Sequence, residues 1–443
     1  MGYEVPFGRQ PVEAVVAVPP SKSIMNRALV CAALADGATT IAGVAPGDDT
    51  IAMIRCLGAL GVRVTVADDD TVEVSGIGGA IEAPPVTLHA GLAGTTSRFV
   101  TALAALGHQP YTIDGEGSLR RRPMGPLHDA LLALGAAVVH HGEPGCLPVT
   151  ITGPANAGLP LLLPGDVSSQ YVSALMMVGP YLPEGLDLHV TTPLVSAPYV
   201  WITAAVMRSF GCASVGVHEE RAVSVAPGRY LAGVPYSVEP DASSASYPLA
   251  LAAVRGGTVK VPGLGRQSIQ GDVEFAQLLE EMGCEVRRDD DGIRLSRDPE
   301  RQLEGIDVDL RDMSDLVPTL AVVAATASST TVISGVGFIR HKESDRIGDL
   351  AAELAKTGAR VYEQPDGIII EPALLHGAAL DTHDDHRLAM AFGVLGAVVE
   401  GVEIDDAGVV TKTWPDSWET LEWLVGAKAP GRSPGRLAGR ADS

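Results

Sequence analysis

The stretch VPPSKSIMNRAL, residues 18–29, places two cations where a helix start disfavours them. Ser21 is a natural N-cap after Pro19 and Pro20, and Ile24, Ala28 and Leu29 fall on one helical face. Lys22 and Arg27 then occupy the first two turns, at the end of the helix dipole that attracts anions. Polar clusters open further predicted helices: AGTTSRF, DVSSQYVSAL, DASSASY and DDHRLAM. Ser, Thr and Asp are ordinary caps in such places. Their combination with Arg98, Arg122, Lys342, Arg346, Arg387 and Lys412, all in helix starts or loops, is less ordinary. Backbone N–H groups, hydroxyls and cations together make anion sites. A phosphate or carboxylate bound between cation and helix resolves the conflict in the opening stretch.

Acidic groups accompany these cations. RHKESDR mixes Lys342, Glu343, Asp345 and Arg346, and reads either as a self-paired solvated loop or as part of a site. Asp315 in RDMSDLVPTLA is either a helix cap or a group with chemistry to do. His383, Asp384, Asp385 and His386 in DTHDDHRLAMAF suggest a metal site at first sight. The adjacent Arg387 and the lack of a recognisable ligand pattern argue against it, so no metal is expected. Neither a G-x-x-x-x-G-K-[ST] loop nor a G-x-G-x-x-G turn is present, which leaves no indication of a nucleotide cofactor; none is expected.

Composition narrows the partners. The 443 residues are 46% hydrophobic and carry a net charge of −22, enough chain for two domains and too acidic for nucleic acid or an anionic membrane as the main partner. Cys31, Cys56, Cys146, Cys212 and Cys284 are scattered, odd in number and without a C-x-x-C pair, as suits thiols in a reducing compartment. With no secretory leader and no apolar run long enough to span a bilayer, a cytoplasmic protein is expected. The Pro-, Gly- and Arg-rich end, residues 428–443, reads as a disordered tail.

The elements that must hold the charged groups repeat. MIRCLGALGVRVTV, HDALLALGAAVVHH, AAVMRSFGCASVGV, AQLLEEMGCEVRRD and AAELAKTGARVYEQ each read as helix, glycine, strand. Their glycines are Gly61, Gly135, Gly211, Gly283 and Gly358, where a helix C-terminus calls for one. A sixth helix, SWETLEWLVG, ends at Gly426 with no strand behind it, and the strand-like VEAVVAV near the N-terminus is expected to complete that unit. The fold expected is α/β in two lobes of three repeated units, with ligands in the cleft between them. Residues 20–238 form the first lobe, and 1–19 with 239–427 the second.

Together the motifs SKSIMNRAL, GLAGTTSRF, RRPMGPLHDAL, SSQYVSALMM, LVSAPYV, DASSASYPLA, HKESDR, DDHRLAMAF and TKTWPDSW resemble the enolpyruvyl transferases, in family order across nearly the whole chain. The closer likeness is to the branch acting on shikimate 3-phosphate. That resemblance implies a two-lobed fold, no cofactor, a monomer, and transfer of the enolpyruvyl group of phosphoenolpyruvate to the 5-hydroxyl of shikimate 3-phosphate, on the route to chorismate and aromatic amino acids. It implies that Ser23, Arg27, Ser168, Ser169, Gln170 and Ser196 hold shikimate phosphate, with Tyr199 beneath the ring and Lys342 on the same side. Lys22, which serves both substrates, would hold phosphoenolpyruvate with Gly94, Arg122, Gln170, Arg346, Arg387 and Lys412. Asp315 would take the hydroxyl proton, with Asp312 as the alternative, and Glu343 would protonate the methylene carbon. Gly94 is compatible with sensitivity to glyphosate, since members with Ala at that place tend to exclude it.

The residue types suit that chemistry independently. Phosphoenolpyruvate carries a carboxylate and a phosphate on adjacent atoms, which several Arg and Lys must meet together. Protonating carbon while deprotonating oxygen needs an acid and a base held apart. Two departures stand out: Leu92 and Phe338 occupy places where many members have Asn. The rival branch, acting on UDP-N-acetylglucosamine, usually carries a reactive Cys in an Arg-Pro loop; GSLRRRPMG has none. A non-catalytic anion-binding protein on the same repeat would not need Glu343, Arg346 and Arg387 together.

Overall fold

Gly61, Gly135, Gly211, Gly283 and Gly358 all adopt left-handed backbone, with φ of +94°, +90°, +85°, +110° and +84°. A side chain there would strain the turn, so glycine marks where each helix stops and its strand begins. The structure, a computed structural model, describes residues 2–45, 47–67, 70–156 and 160–426. The tail expected at 428–443 lies outside the described residues.

The described residues build six small sheets, five of four strands and one of three. The second sheet shows the plan. Val86–His89 runs parallel to Tyr111–Asp114 across the helix Gly94–Ala104, and Val149–Thr152 and Ala137–His140 then return antiparallel after the helix Gly125–Ala133. A parallel pair needs such a crossover, which is why each repeat carries an inner helix. Two sheets borrow a first strand from elsewhere in the chain. Tyr236–Ser237 pairs with Ile41–Ala42 in the first sheet, and Val12–Val15 pairs with Gly257–Lys260 in the fourth. The VEAVVAV segment thus completes the fourth unit and not the sixth, as its sequence suggested. The sixth is completed by Tyr3–Glu4, antiparallel to Glu403–Ile404. Strand-like character marks a segment as a strand but leaves its partner open, and two short N-terminal segments were available.

Contacts divide the described residues into two compact units, one within 2–19 and 239–426, the other within 20–238. Each unit has its own hydrophobic core. In the 20–238 unit the helices Lys22–Leu34, Gly94–Ala104 and Ser169–Val178 pack on one another inside the sheets; in the other unit Ala242–Arg255, Val317–Ala325 and His386–Gly396 do so. Every residue of Gly94–Ala104, Val317–Ala325 and His386–Gly396 is buried. Each enclosed Val or Leu contributes roughly 1.5–3 kcal/mol of hydrophobic stabilisation, which fixes these inner helices firmly. A helix buried on all faces has only its ends left for chemistry. The polar clusters read from the sequence are the N-terminal ends of these helices.

Candidate active site

In the 20–238 unit, Lys22 is the first residue of its helix, and its Nζ lies 3.0 Å from Asp49 Oδ2. Asp49 sits in the first turn of the helix Asp48–Ala59, its side chain only 3% exposed. The cation that the dipole disfavours is therefore held by a carboxylate from the next helix. Ser21 takes the N-cap position, but its hydroxyl makes no capping bond. Helix Ser169–Val178 is capped as expected, Ser168 Oγ accepting from the Gln170 N–H at 3.3 Å. Gln170 Nε2 donates weakly to Thr95 Oγ1 at 3.4 Å, and Ser169 is buried beside it.

Arg27 is enclosed, with 1% of its surface exposed. It donates from Nε to Thr203 Oγ1 at 2.7 Å, from Nη1 to the Ser23 carbonyl at 2.8 Å, and from Nη2 to Ser173 Oγ and the Tyr199 carbonyl at 3.2 and 3.3 Å. Its guanidinium also lies over the rings of Phe99 and Tyr199, at 5.2 and 5.8 Å. Burial pulls its pKa down to about 10, so it stays charged at neutral pH among neutral acceptors. Its hydrogen-bond acceptors among the described residues, Thr203, Ser23, Ser173 and Tyr199, are all neutral. Ser196, in left-handed backbone at φ +52°, precedes Tyr199 in the same turn.

Gly94 opens the next inner helix under two guanidinium groups. A Cβ built on it would lie 2.7 Å from Arg122 Nη1 and 2.9 Å from Arg98 Nη1. Arg98 is fixed by the carbonyls of Gly94 and Pro123, at 3.1 and 3.2 Å. Leu92, at one of the two departures, is 40% exposed.

The other unit holds a denser cluster. Asp315, in the 3₁₀ turn just before Val317–Ala325, accepts from Lys342 Nζ at 2.9 Å and Arg346 Nη1 at 2.8 Å through Oδ1, and from Arg387 Nη2 at 2.7 Å through Oδ2. It is not the helix cap that its position allows. Asp312, the alternative, stands exposed. Glu343 accepts from Arg346 Nη2 at 2.7 Å and from Lys412 Nζ at 2.8 Å. Asp385, fully buried, takes Arg346 Nε at 2.6 Å and caps its own helix by accepting from the Arg387 N–H at 2.9 Å. HKESDR is therefore neither a solvated nor a purely self-paired loop: its ion pairs reach residues 27 to 69 positions away. Phe338, the second departure, places its ring 5.7 Å below Lys342 Nζ, within reach of a cation–π contact where an amide would have offered a hydrogen bond.

These contacts set the protonation states. Burial disfavours charge on Asp315, but Arg387, then Lys342 and Arg346, outweigh it and hold the carboxyl well below its usual range. Burial likewise opposes the charge on Arg346, which Asp385, Glu343 and Asp315 restore and raise above its ordinary value. Asp272, buried and accepting from the Ser243 hydroxyl, is pushed up to about 6 by that burial, with a further push from Asp315. Asp49 and Asp272 escape notice in the sequence because an acid at a helix start reads as an ordinary cap. Among the described residues no group of three or more His, Cys, Asp or Glu is arranged to hold a metal ion. His383 turns to Glu353, while Asp385 is engaged with arginine. The five cysteines are free thiols, four of them buried. No helix among the described residues is long and apolar enough to cross a membrane.

A family model described as EPSP synthase (3-phosphoshikimate 1-carboxyvinyltransferase) matches residues 7–421. Curated relatives carry the name 3-phosphoshikimate 1-carboxyvinyltransferase. The one from Trichormus variabilis is 41% identical over 423 residues, covering 95% of this chain and 99% of that relative. The one from Methanoculleus marisnigri is 43% identical over 416 residues, covering 93% and 96%. A solved structure of EPSP synthase from Acinetobacter baumannii superposes with a TM-score of 0.77 at 27% identity, covering 94% of this chain and 96% of that one.

Proposed function

This chain belongs to the EPSP synthase (3-phosphoshikimate 1-carboxyvinyltransferase) family, and from that premise we propose that its two polar constellations serve one reaction. The activity is transfer of the enolpyruvyl group of phosphoenolpyruvate to shikimate 3-phosphate, a step of aromatic amino-acid biosynthesis. In our assignment Ser23, Ser168, Ser169, Gln170 and Ser196 bind shikimate 3-phosphate, with Tyr199 under the ring and the buried Arg27 supplying positive charge. Lys22, Gly94, Arg122, Gln170, Arg346, Arg387 and Lys412 bind phosphoenolpyruvate, and Lys342 meets the shikimate side. We place the enzyme in the cytoplasm as a monomer, which its free thiols and strongly acidic surface suit.

The observation that carries this reading is the convergence of Arg346, Arg387 and Lys342 on the single carboxylate of Asp315. Asp315 and Glu343 stand in for substrate anions, keeping the cations placed. A carboxylate held so acidic is a poor base. When the carboxylate and phosphate of phosphoenolpyruvate draw Arg346 and Arg387 toward themselves, Asp315 loses part of its positive surroundings and becomes more basic. It then takes the proton of the 5-hydroxyl as the oxygen attacks C2 of phosphoenolpyruvate. As the same substrate anions draw Arg346 and Lys412 off Glu343, its carboxylate takes up a proton from solvent. Glu343 delivers that proton to C3, making the methyl group of a tetrahedral intermediate. A methyl proton then returns to Glu343, the C2–O bond to phosphate breaks to restore the double bond, and the proton on Asp315 leaves with the phosphate. The test is phosphate release from phosphoenolpyruvate with shikimate 3-phosphate as the only acceptor. Release with UDP-N-acetylglucosamine in its place, and none with shikimate 3-phosphate, would overturn the reading.

Gly94→Ala is expected to weaken glyphosate inhibition by on the order of tenfold or more, and to raise the KM for phosphoenolpyruvate less. The added methyl would meet Arg122 and Arg98 below 3.0 Å. Both neighbours are ends of flexible side chains, so the fold survives while the anion-facing guanidinium moves. Inhibition constants measured for the two proteins check this; an unchanged value would separate Arg122 from the anion site.

A further inference from the structure

His383 and Asp384, neither of them glycine, adopt left-handed backbone in succession, at φ +50° and +59°. Side chains make that conformation strained, and a strained turn persists only where its surroundings hold it. The hold comes from the helix Gly348–Lys356. Glu353, whose side chain is 4% exposed, accepts from the Asp381 N–H at 2.9 Å through Oε2, and its Oε1 lies 3.0 Å from His383 Nε2. A carboxylate only accepts, so His383 presents an Nε2–H to it. Lys356 Nζ, at 2.6 Å from Oε2 and 2.8 Å from Oε1, supplies the counter-charge. One turn earlier on the same helix, Asp349 Oδ1 lies 3.8 Å from the other ring nitrogen of His383. The segment entering the turn is thus gripped at its backbone and at its side chain.

What leaves the turn is Asp385. Its N–H bonds the Thr382 carbonyl at 2.8 Å, closing the turn. Its carboxylate then takes Arg346 at Nε (2.6 Å) and Nη2 (3.2 Å), accepts from Ser344 Oγ at 3.1 Å, and caps the helix that carries Arg387. A shift in the turn moves Asp385, and both arginines move with it. We infer that Glu353 is a positioning residue of the reaction, holding the 381–384 turn so that Asp385 presents Arg346 and Arg387 correctly. Glu353 touches neither arginine and acts only through the turn. The inference rests on the assignment of those arginines to phosphoenolpyruvate.

The test is steady-state kinetics of Glu353→Gln with each substrate varied in turn. The amide keeps the shape but cannot accept from Asp381, Lys356 and His383 as a carboxylate does. The KM for phosphoenolpyruvate should rise by about tenfold to a hundredfold, the scale of loss when a binding group shifts by an ångström, with shikimate 3-phosphate affinity nearly unchanged. Adding Asp384→Gly should recover most of that loss, because glycine takes left-handed backbone without strain and the turn then needs less holding. A residue serving only stability would not show this rescue. A folded Glu353→Gln with wild-type phosphoenolpyruvate KM overturns the inference, as does a loss that Asp384→Gly leaves untouched. Should Glu353→Gln not fold, His383→Ala breaks the same grip at a partly exposed ring and carries the same two outcomes. Arg387→Ala, measured alongside, separates the failures. If it raises the KM while the Glu353 variant does not, the positioning role alone falls; if it too leaves the KM unchanged, the assignment of Arg387 falls and takes the inference with it.

Discussion

Glu343→Gln should lower turnover by about 10²–10⁴, the usual worth of a positioned general acid, while both substrates still bind. The glutamine matches the shape of Glu343 and has no proton to give to the methylene carbon. Its geometry predicts a second, smaller effect. Glu343 holds Arg346 at 2.7 Å and Lys412 at 2.8 Å, one through each oxygen. An amide offers one oxygen and turns an NH₂ toward the other cation, so one charged hydrogen bond, typically worth about 1.5–3 kcal/mol, is lost. Arg346 retains Asp385 and Asp315, which keep it in place, so the pair with Lys412 is the one that weakens. Phosphoenolpyruvate affinity should fall modestly while turnover at saturation collapses. Calorimetric binding and single-turnover rates on the same protein separate the two. Lost binding with a normal rate at saturation would remove Glu343 from proton transfer and leave it as a holder of cations.

Lys22→Met should cost about 10²–10³ in turnover, the scale for one charge-stabilising donor aimed at a transition state. Methionine keeps the length and apolar stem of lysine. Here the structure adds a complication that the sequence hides. Asp49, with 3% of its side chain exposed, has Lys22 as its ion-pair partner at 3.0 Å. Removing one partner of a buried pair is destabilising by about 3–5 kcal/mol, because the remaining charge is stranded. The single variant will therefore melt lower as well as turn over slower. Lys22→Met with Asp49→Asn removes both charges, and should recover much of the melting temperature and none of the turnover. Recovery of turnover in the double variant would mean that Lys22 serves only to neutralise Asp49, and that the anion it faces is the protein's own.

Short-range physics made much of this protein legible. Glycine after a helix, an apolar stripe, and a Ser, Thr or Asp before it are set by backbone conformation and burial within a dozen residues, so the five helix–glycine–strand units and the polar helix starts could be read directly. The cations of the site, and the likeness to enolpyruvyl transferases, came from the same local motifs. Tertiary structure decided the partnerships. VEAVVAV is visibly a strand, but only topology assigns it to Gly257–Pro262 and leaves Tyr3–Glu4 for the last sheet. Asp312 and Asp315 look alike in sequence; the turn into the next helix leaves one exposed and sets the other against three cations. Lys22 and Arg27 read alike in the sequence, both as cations facing a bound anion. One is paired with Asp49, and the other is sealed among Thr203, Ser173 and two carbonyls more than a hundred residues away or one turn back. Nothing in AAELAKTGARVYEQ singles out Glu353; the 381–384 turn that folds against it does. The reason is common to all four: a side chain's type and local backbone preference are written within its own turn. Its counter-charge is chosen by which strand ends and helix starts the sheet crossovers bring together, tens of residues apart along the chain.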